Sequence, residues 1–338
     1  MTDGRRTLRY LSATDVEDLL PPVDERIALA RRAMLALVAD AELPPKLGVH
    51  PRSPDSFAHA MPALLRGAGG SGSGDLVGLK WVVGFPRNRH RGLPAIHGTV
   101  LLNDPTTGVP LGMLDAGPIT AHRTAAVSGV AISRWARRDV ERPLRVAMLG
   151  AGVQARSHLP VVAHLLPGSR LAVYDRNPER AETVATEAAA GGAFADASTA
   201  PGPIEAVRDA DVVLTLVSFG PDRQSLPADA LLANALVVAV DYDMSVPAAV
   251  AAEAALFVVD EASQFRANRE AGLFADYPEP AGIMGEWLDP VASRELAPDA
   301  ATGGRILVTH LGVGLADLIF ADALLRAAEG RGIGVELP

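Results

Sequence analysis

The middle of this 338-residue chain most constrains its fold. Apolar runs at 146–149, 171–174, 212–216 (interrupted only by Thr215) and 236–240 are separated by stretches rich in Ala and Glu with helical character. A strand exposed on one face alternates apolar and polar residues, whereas a run apolar at every position needs cover on both sides. Runs of this kind, spaced by helices, predict a parallel sheet with helices on both faces, an α/β class. Another run at 256–259 precedes a loop-rich section to about 298, and the chain closes with a short run at 305–308 and a helix near 316–328.

The flanking sequence follows other rules. A strand-like piece at 8–11 precedes a helix capped by Ser12 or Thr14, with Asp15, Glu17 and Asp18 in its first turn. A second helix spans 23–39, with Ile27, Ala30, Met34, Leu37 and Val38 at helical spacing. From 43 to 114, short runs broken by Pro and Gly predict antiparallel strands. The Gly/Ser-rich 67–74 reads as a flexible hairpin loop without phosphate chemistry, because no helix follows it. An Ala-rich helix at 119–136 leads through a polar hinge at 137–143 into the parallel region. The length suits two domains, and the pattern predicts one at 126–304 inserted between 1–125 and 305–338.

Charge and cysteine content narrow the function. Lys and Arg number 31 against 40 Asp and Glu, a net charge of −9. The one compact basic stretch, Arg87-Asn88-Arg89-His90-Arg91, is flanked by Pro86, Gly92 and Pro94 and reads as a solvated loop. This argues against nucleic acid or anionic lipid as the main partner. Without cysteine there is no disulfide framework, Cys-ligated zinc or thiol nucleophile. Met1 to Arg6 lack a following apolar leader segment, and no run approaches the roughly 18 apolar residues of a membrane span. The expectation is a soluble, cytoplasmic protein.

The first parallel run ends in Gly150-Ala151-Gly152-Val153-Gln154-Ala155. Gly150 permits a tight turn, Gly152 lets backbone approach a pyrophosphate, and Ala155 allows close helix–strand packing. The helix that follows offers unpaired N–H groups and a positive dipole end. Asp175, at the end of the next run, stands where an acid accepts both ribose hydroxyls and repels a 2′-phosphate, which favours NAD. Arg176 beside it keeps NADP open, and Asp175 or Asn177 also suits a helix cap.

Three stretches carry a family resemblance: Lys80-Trp81-Val82-Val83-Gly84 with the Asn103-Asp104-Pro105-Thr106-Thr107-Gly108 turn; Ile119-Thr120-Ala121-His122-Arg123-Thr124-Ala125-Ala126; and the glycine turn with Val153-Gln154-Ala155. Together they resemble the ornithine cyclodeaminase/mu-crystallin family over nearly the whole chain. The resemblance implies a Rossmann nucleotide-binding domain inserted in an α+β substrate and dimerisation domain, whose strands complete a shared barrel in a homodimer. The implied chemistry is hydride exchange at a carbon bearing an amino or imino nitrogen next to a carboxylate. Lys80 matches the active-site lysine, which polarises a carbonyl oxygen or substrate carboxylate. Arg123, at an apolar helix start, suits a bidentate grip on that carboxylate, or else a structural ion pair. Arg123 and Thr124 are also expected toward the cofactor phosphates, and Thr215, Val217 and Gly312 toward the cofactor.

Aligned by its strand, Asp243 falls on the family's catalytic aspartate, which exchanges protons with the substrate nitrogen; Asp241 is the alternative. Met61 and Pro62 resemble a pair lining the pocket. His310 falls in a stretch near the nicotinamide, and Asp260 and Gln264 either face the cofactor or cap a loop. Two departures weaken ornithine as the substrate: Lys46 stands where the family often has an arginine that grips the carboxylate, and Met244-Ser245-Val246-Pro247 replaces basic and acidic residues. His97, in an apolar strand, is expected to be a core histidine. His50 and His59 lack metal spacing, so no metal is expected. The reading is an NAD(P)-dependent cyclodeaminase or amino-acid dehydrogenase; the alternatives are a ketimine reductase or a non-catalytic NAD(P)-dependent binder of mu-crystallin type.

Overall fold

The computed structural model describes residues 7–67, 74–137, 141–220, 223–288 and 303–338. Met1 to Arg6, most of the Gly/Ser-rich loop, part of the polar hinge and the end of the loop-rich section lie outside the described residues. The chain divides into two compact units, Met1–Arg123 with Val313–Pro338, and Thr124–Gly312.

The elements run β1 (Leu8–Leu11), α1 (Ala13–Asp18), α2 (Val23–Ala36), β2 (Ala41–Glu42), β3 (Leu47–Val49), β4 (Phe57–Leu65), β5 (Leu76–Gly84), β6 (Ile96–Asn103), β7 (Pro110–Asp115) and α3 (Ala116–Trp135). They continue with β8 (Arg145–Leu149), α4 (Val153–Leu165), β9 (Arg170–Tyr174), α5 (Pro178–Ala190), β10 (Asp196–Thr199), α6 (Pro203–Val207), β11 (Val212–Thr215) and β12 (Leu236–Ala239). The rest are α7 (Ala248–Ala252), β13 (Leu256–Val259), α8 (Ala262–Glu270), α9 (Met284–Leu288), β14 (Ile306–Thr309), α10 (Gly314–Arg331) and β15 (Val335–Leu337).

In the first unit, the strands form a mixed sheet in the order β15-β1-β7-β6-β5-β4-β2, with β3 also on β4. The pairs β7–β6, β6–β5 and β5–β4 are antiparallel, as the Pro- and Gly-broken pattern predicts. Ser12, not Thr14, caps α1: its hydroxyl accepts from the Asp15 amide while the Asp15 carboxylate accepts from the Ser12 amide. The apolar α10 packs on β4, β5, β6 and α2. It covers one face of the sheet, where Met61, Lys80, Val82 and Val100 are buried. The opposite face is also apolar, with Pro62, Leu64, Val77, Leu79, Val83 and Leu101 half-buried and Trp81 41% exposed. His97 is exposed at the start of β6, in register with Val83 of this second face, which corrects its expected place in the core. The basic stretch forms a 3-10 turn at Pro86–Arg91 with Arg87, His90 and Arg91 exposed.

In the second unit, the sheet order is β10-β9-β8-β11-β12-β14-β13 and every neighbouring pair is parallel. Strands β11, β12, β13 and β14 are buried at every position, the outcome expected of unbroken apolar runs. Leu149, Val213, Val237, Val259, Phe265, Phe274 and Leu307 belong to one core. Strand β14 pairs with β12 on one side and β13 on the other. The return to the first unit therefore comes at Val313 and not at 305: a run apolar on both faces gains its cover inside this parallel sheet. No helix among the described residues is long and apolar enough to cross a membrane.

Candidate active site

Both units carry part of the expected chemistry. In the second, β8 delivers the chain into Gly150, whose φ of +100° L side chains rarely adopt. A Cβ there would lie 2.6 Å from the Leu216 carbonyl oxygen, so only glycine fits. A Cβ at Gly152 would meet nothing within 4 Å. Gly152 also caps α4 without a side-chain hydrogen bond, no acid occupies the first turn, and Val153 is exposed. Uncovered first-turn amides, open space and a positive helix end suit a pyrophosphate. At the end of β9, Asp175 Oδ2 accepts from the Ala151 amide at 2.8 Å and Oδ1 from the Asn177 amide at 2.8 Å. The cap of α5 falls to Asn177, whose Oδ1 accepts from the Glu179 and Arg180 amides. Arg176 is exposed next to this acid.

After β12, Tyr242 adopts φ 60°. Such a conformation costs a bulky residue roughly 1–3 kcal/mol and concentrates at functional positions. The acids on either side of it differ. Asp241 accepts from the Thr215 hydroxyl and the Ser245 hydroxyl, each at 2.6 Å. Burial pushes its carboxyl up to about 6 against those bonds and one from the Val217 backbone. Thr215, fully buried, thus gives its hydroxyl to Asp241. Asp243 accepts at Oδ2 from the Phe274 amide at 2.9 Å and pairs with Arg223 at 2.5 Å, while its buried Oδ1 has no hydrogen-bond partner among the described residues.

The loop after β14 is braced. Asp260 accepts from the Gly312 amide at 2.7 Å, and Gln264 donates to the Gly312 carbonyl at 3.1 Å, so both side chains hold this turn. His310 Nε2 lies 2.8 Å from the Ser128 hydroxyl, which lies 2.8 Å from His158 Nε2; His158 Nδ1 lies 2.6 Å from the Gln154 carbonyl. A carbonyl only accepts, so Nδ1 of His158 carries its hydrogen. Burial pulls His158 down to about 4. The neutral ring then accepts from Ser128 at Nε2, and Ser128 accepts from Nε2 of His310. Ser128 and His158 escaped the sequence reading: a serine in an Ala-rich helix has no signature.

In the first unit, Asp317 of α10 accepts at one oxygen, Oδ1, from Lys80 Nζ at 2.9 Å and from Arg123 Nε at 3.0 Å. Lys80 is 1% exposed, Arg123 5% and Asp317 0%. Burial pulls the Lys80 ammonium down to about 8, and the adjacent Arg123 adds to this, although Asp317 opposes it. Arg123 therefore has its structural ion pair, yet spends only Nε on it, leaving the terminal nitrogens that match a carboxylate. Met61 is the cross-strand neighbour of Lys80. Lys46, half-buried just before β3, acts electrostatically on Lys80. Sequence reasoning missed Asp317; its only signal is one acid within an otherwise apolar helical turn. Among the described residues, no three His, Asp or Glu side chains are grouped to hold a metal ion.

Fold and site define a class: a Rossmann unit inserted into a mixed-sheet unit that carries a buried Lys–Asp–Arg set. The chain belongs to the ornithine cyclodeaminase/mu-crystallin family, whose model matches residues 10–286. It is 27% identical over 337 residues to the Delta(1)-pyrroline-2-carboxylate reductase of Bacillus cereus, covering 92% of this chain and 94% of that one. Its fold is that of the Thermococcus litoralis Delta(1)-pyrroline-2-carboxylate reductase solved with NADH and L-proline, with a TM-score of 0.81, 24% identity and coverage of 97% and 99%. An archaeal alanine dehydrogenase dimer with bound NAD gives a TM-score of 0.81, 24% identity and coverage of 98% of this chain and 99% of that one.

Proposed function

We propose that the chain is an NAD-dependent oxidoreductase acting at the C–N bond of a small amino or imino acid. The observation that carries this reading is the Lys80–Asp317–Arg123 cluster: two buried cations share one carboxylate, so one positive charge remains for a substrate carboxylate. Lys80 and Arg123 hold and orient that carboxylate, with Met61 lining the same face. Asp243 takes the proton from the substrate nitrogen, or returns it, through the oxygen that no hydrogen bond occupies. The glycine turn binds pyrophosphate and Asp175 takes the adenosine ribose, which favours NAD; Arg176 beside it is the residue that an NADP preference would use. Gly312, held by Asp260 and Gln264, and the Val217 backbone contribute further cofactor contacts. The dinucleotide, when bound, supplies hydride transfer. Relatives named pyrroline-2-carboxylate reductase and alanine dehydrogenase support both directions of the reaction.

The test follows NADH absorbance and ammonia together with amino acids, and with cyclic imines plus NADH. NADH accumulating with ammonia identifies a dehydrogenase, ammonia without net NADH a cyclodeaminase, and NADH consumption by cyclic imines a reductase. Tight NADH binding with no turnover of any substrate would overturn the reading in favour of a binding protein.

A cytoplasmic homodimer belongs to the same proposal, because NAD and free amino acids meet in that compartment and the second apolar face of the mixed sheet suits a second copy. Exposed apolar faces of this extent mark interaction surfaces. Placing a charge at its centre with Trp81→Glu is expected to convert a dimer mass to a monomer mass in light scattering. An unchanged mass would move the interface elsewhere.

A further inference from the structure

In the second unit, the fold sets two buried acceptor oxygens on adjoining segments. Strands β11 and β12 are parallel neighbours, and the chain leaving each at its C-terminal end passes the edge where parallel sheets hold their ligands. The Gln224 amide donates to the Met244 carbonyl at 2.8 Å and the Leu226 amide to the Ser245 carbonyl at 2.9 Å, so residues 224–226 run alongside 244–245. Arg223 fastens the same two segments: its Nη1 donates to the Asp243 carbonyl at 2.9 Å and meets Asp243 Oδ2 at 2.5 Å. With Oδ2 held by Arg223 and by the Phe274 amide, the carboxylate is fixed and Oδ1 is the oxygen left over. Asp243 Oδ1 and Gln224 Oε1 are both buried, and neither has a hydrogen-bond partner among the described residues. A buried acceptor forgoes its bonds to water, and folded proteins seldom leave one uncompensated without a functional reason.

We propose that Gln224 is a substrate-binding residue whose carbonyl oxygen, together with Asp243 Oδ1, receives two N–H groups of the reacting nitrogen, and that the substrate is therefore a primary amino acid. This rests on the reading of the chain as an amino- or imino-acid oxidoreductase. In the oxidising direction the ammonium gives one proton to Asp243. The Cα–H bond then passes its hydrogen and electron pair to NAD as hydride, and the C–N bond becomes double. A primary amine yields C=NH₂⁺, with two N–H groups in one plane, whereas a secondary or cyclic amine yields an iminium with only one. A pair of acceptors matches the first and leaves an orphan beside the second. The two oxygens also differ in what the reaction does to them. Asp243 becomes a poorer acceptor once it holds the proton, while an amide carbonyl does not titrate and accepts throughout. Gln224 therefore acts more on the iminium-like transition state than on the bound ammonium.

The kinetic arm of the experiment follows NADH formation from norvaline, N-methylnorvaline and proline. The unmodified protein is expected to favour norvaline in kcat/KM by at least about 10-fold. Gln224→Met is close in volume and has no oxygen. It is expected to lower kcat for norvaline at least about 10-fold, to move KM less, and to leave the other two substrates within about 2-fold. Its thermal unfolding midpoint is expected to be no lower than the parent's, since an apolar group replaces an unpaired polar one. Gln224→Glu, which returns an oxygen to the position, is expected to recover norvaline oxidation relative to Gln224→Met. The second arm needs no turnover: NADH-loaded protein is titrated calorimetrically with norvaline and with valerate, and Gln224→Met is expected to weaken norvaline alone. An unchanged kcat in Gln224→Met, a loss equal for all three substrates, or a parent preference for proline or N-methylnorvaline overturns the proposal and leaves the oxidoreductase reading standing. If no substrate yields NADH, that reading falls and the calorimetry decides alone: weakened norvaline binding in Gln224→Met keeps the nitrogen pocket, and unchanged binding removes it.

Discussion

Asp243→Asn is expected to lower kcat by at least about 100-fold, the low end of what a positioned proton carrier contributes, while NADH affinity stays within error of the unmodified protein. The amide keeps the shape of the carboxylate and can still accept from the Phe274 amide at one oxygen. It cannot take up a proton at the atom that replaces the unpartnered Oδ1. The control is Asp241→Asn. Asp241 spends both oxygens on the Thr215 and Ser245 hydroxyls, so its replacement breaks one buried bond, costing about 1–3 kcal/mol, and shows in thermal unfolding more than in rate. A near-normal kcat for Asp243→Asn with a collapsed rate for Asp241→Asn would assign the proton to Asp241. The carboxyl of Asp241, raised by burial to about 6, would then set an acid limb in the pH profile.

Asp317→Ala is expected to cost about 3–5 kcal/mol of stability, because it leaves two buried cations facing each other without their shared acid. Asp317→Asn is the gentler probe and reads out position and charge separately. The grip on a substrate carboxylate requires Lys80 in its charged form, which is lost as pH rises through about 8. KM is therefore expected to climb above pH 8 in the parent protein. Asp317 raises the Lys80 pKa, so in the Asn variant the climb should begin at lower pH. An unshifted limb would show that another group governs it. The stability linkage has a definite sign. The folded pKa of Lys80 lies below the value of about 10.4 for a free lysine, so the unfolded chain holds more protons between them. Stability should rise with pH from about 8 to 10.4, as the cost of burying a charged Lys80 disappears.

Much of the second unit is legible in the sequence because covered strands have an unmistakable composition. The runs at 146–149, 171–174 and 256–259 fall within a residue of β8, β9 and β13. The glycine turn is legible for the same physical reason: Gly150 has no substitute where Leu216 comes within 2.6 Å of a Cβ. Neighbour relations are different. Nothing local to residues 306–309 says that they pair with β12 and β13, since an apolar strand satisfies any covered sheet, and the domain boundary drawn at 305 missed for that reason. His97 shows the converse limit. Apolar neighbours on a strand signal a sheet but not whether its second face is covered within one chain. The candidate site divides along the same line. Lys80, Arg123, Asp175 and Asp243 sit in recognisable local contexts, whereas Asp317 acquires meaning only when a helix from residues 314–331 is laid against β5.

The place of β14 bears on how the protein is made. Translation produces β12 and β13 long before β14, yet β14 must end up between them. Until residue 309 has left the ribosome, two strand edges lack their common partner, and the unpaired backbone N–H and C=O groups on both are available to other chains. Pairings of such sequence separation form slowly and expose aggregation-prone edges meanwhile. Removing the chain from 305 onward would therefore take the shared partner out of the parallel sheet along with the helix that carries Asp317.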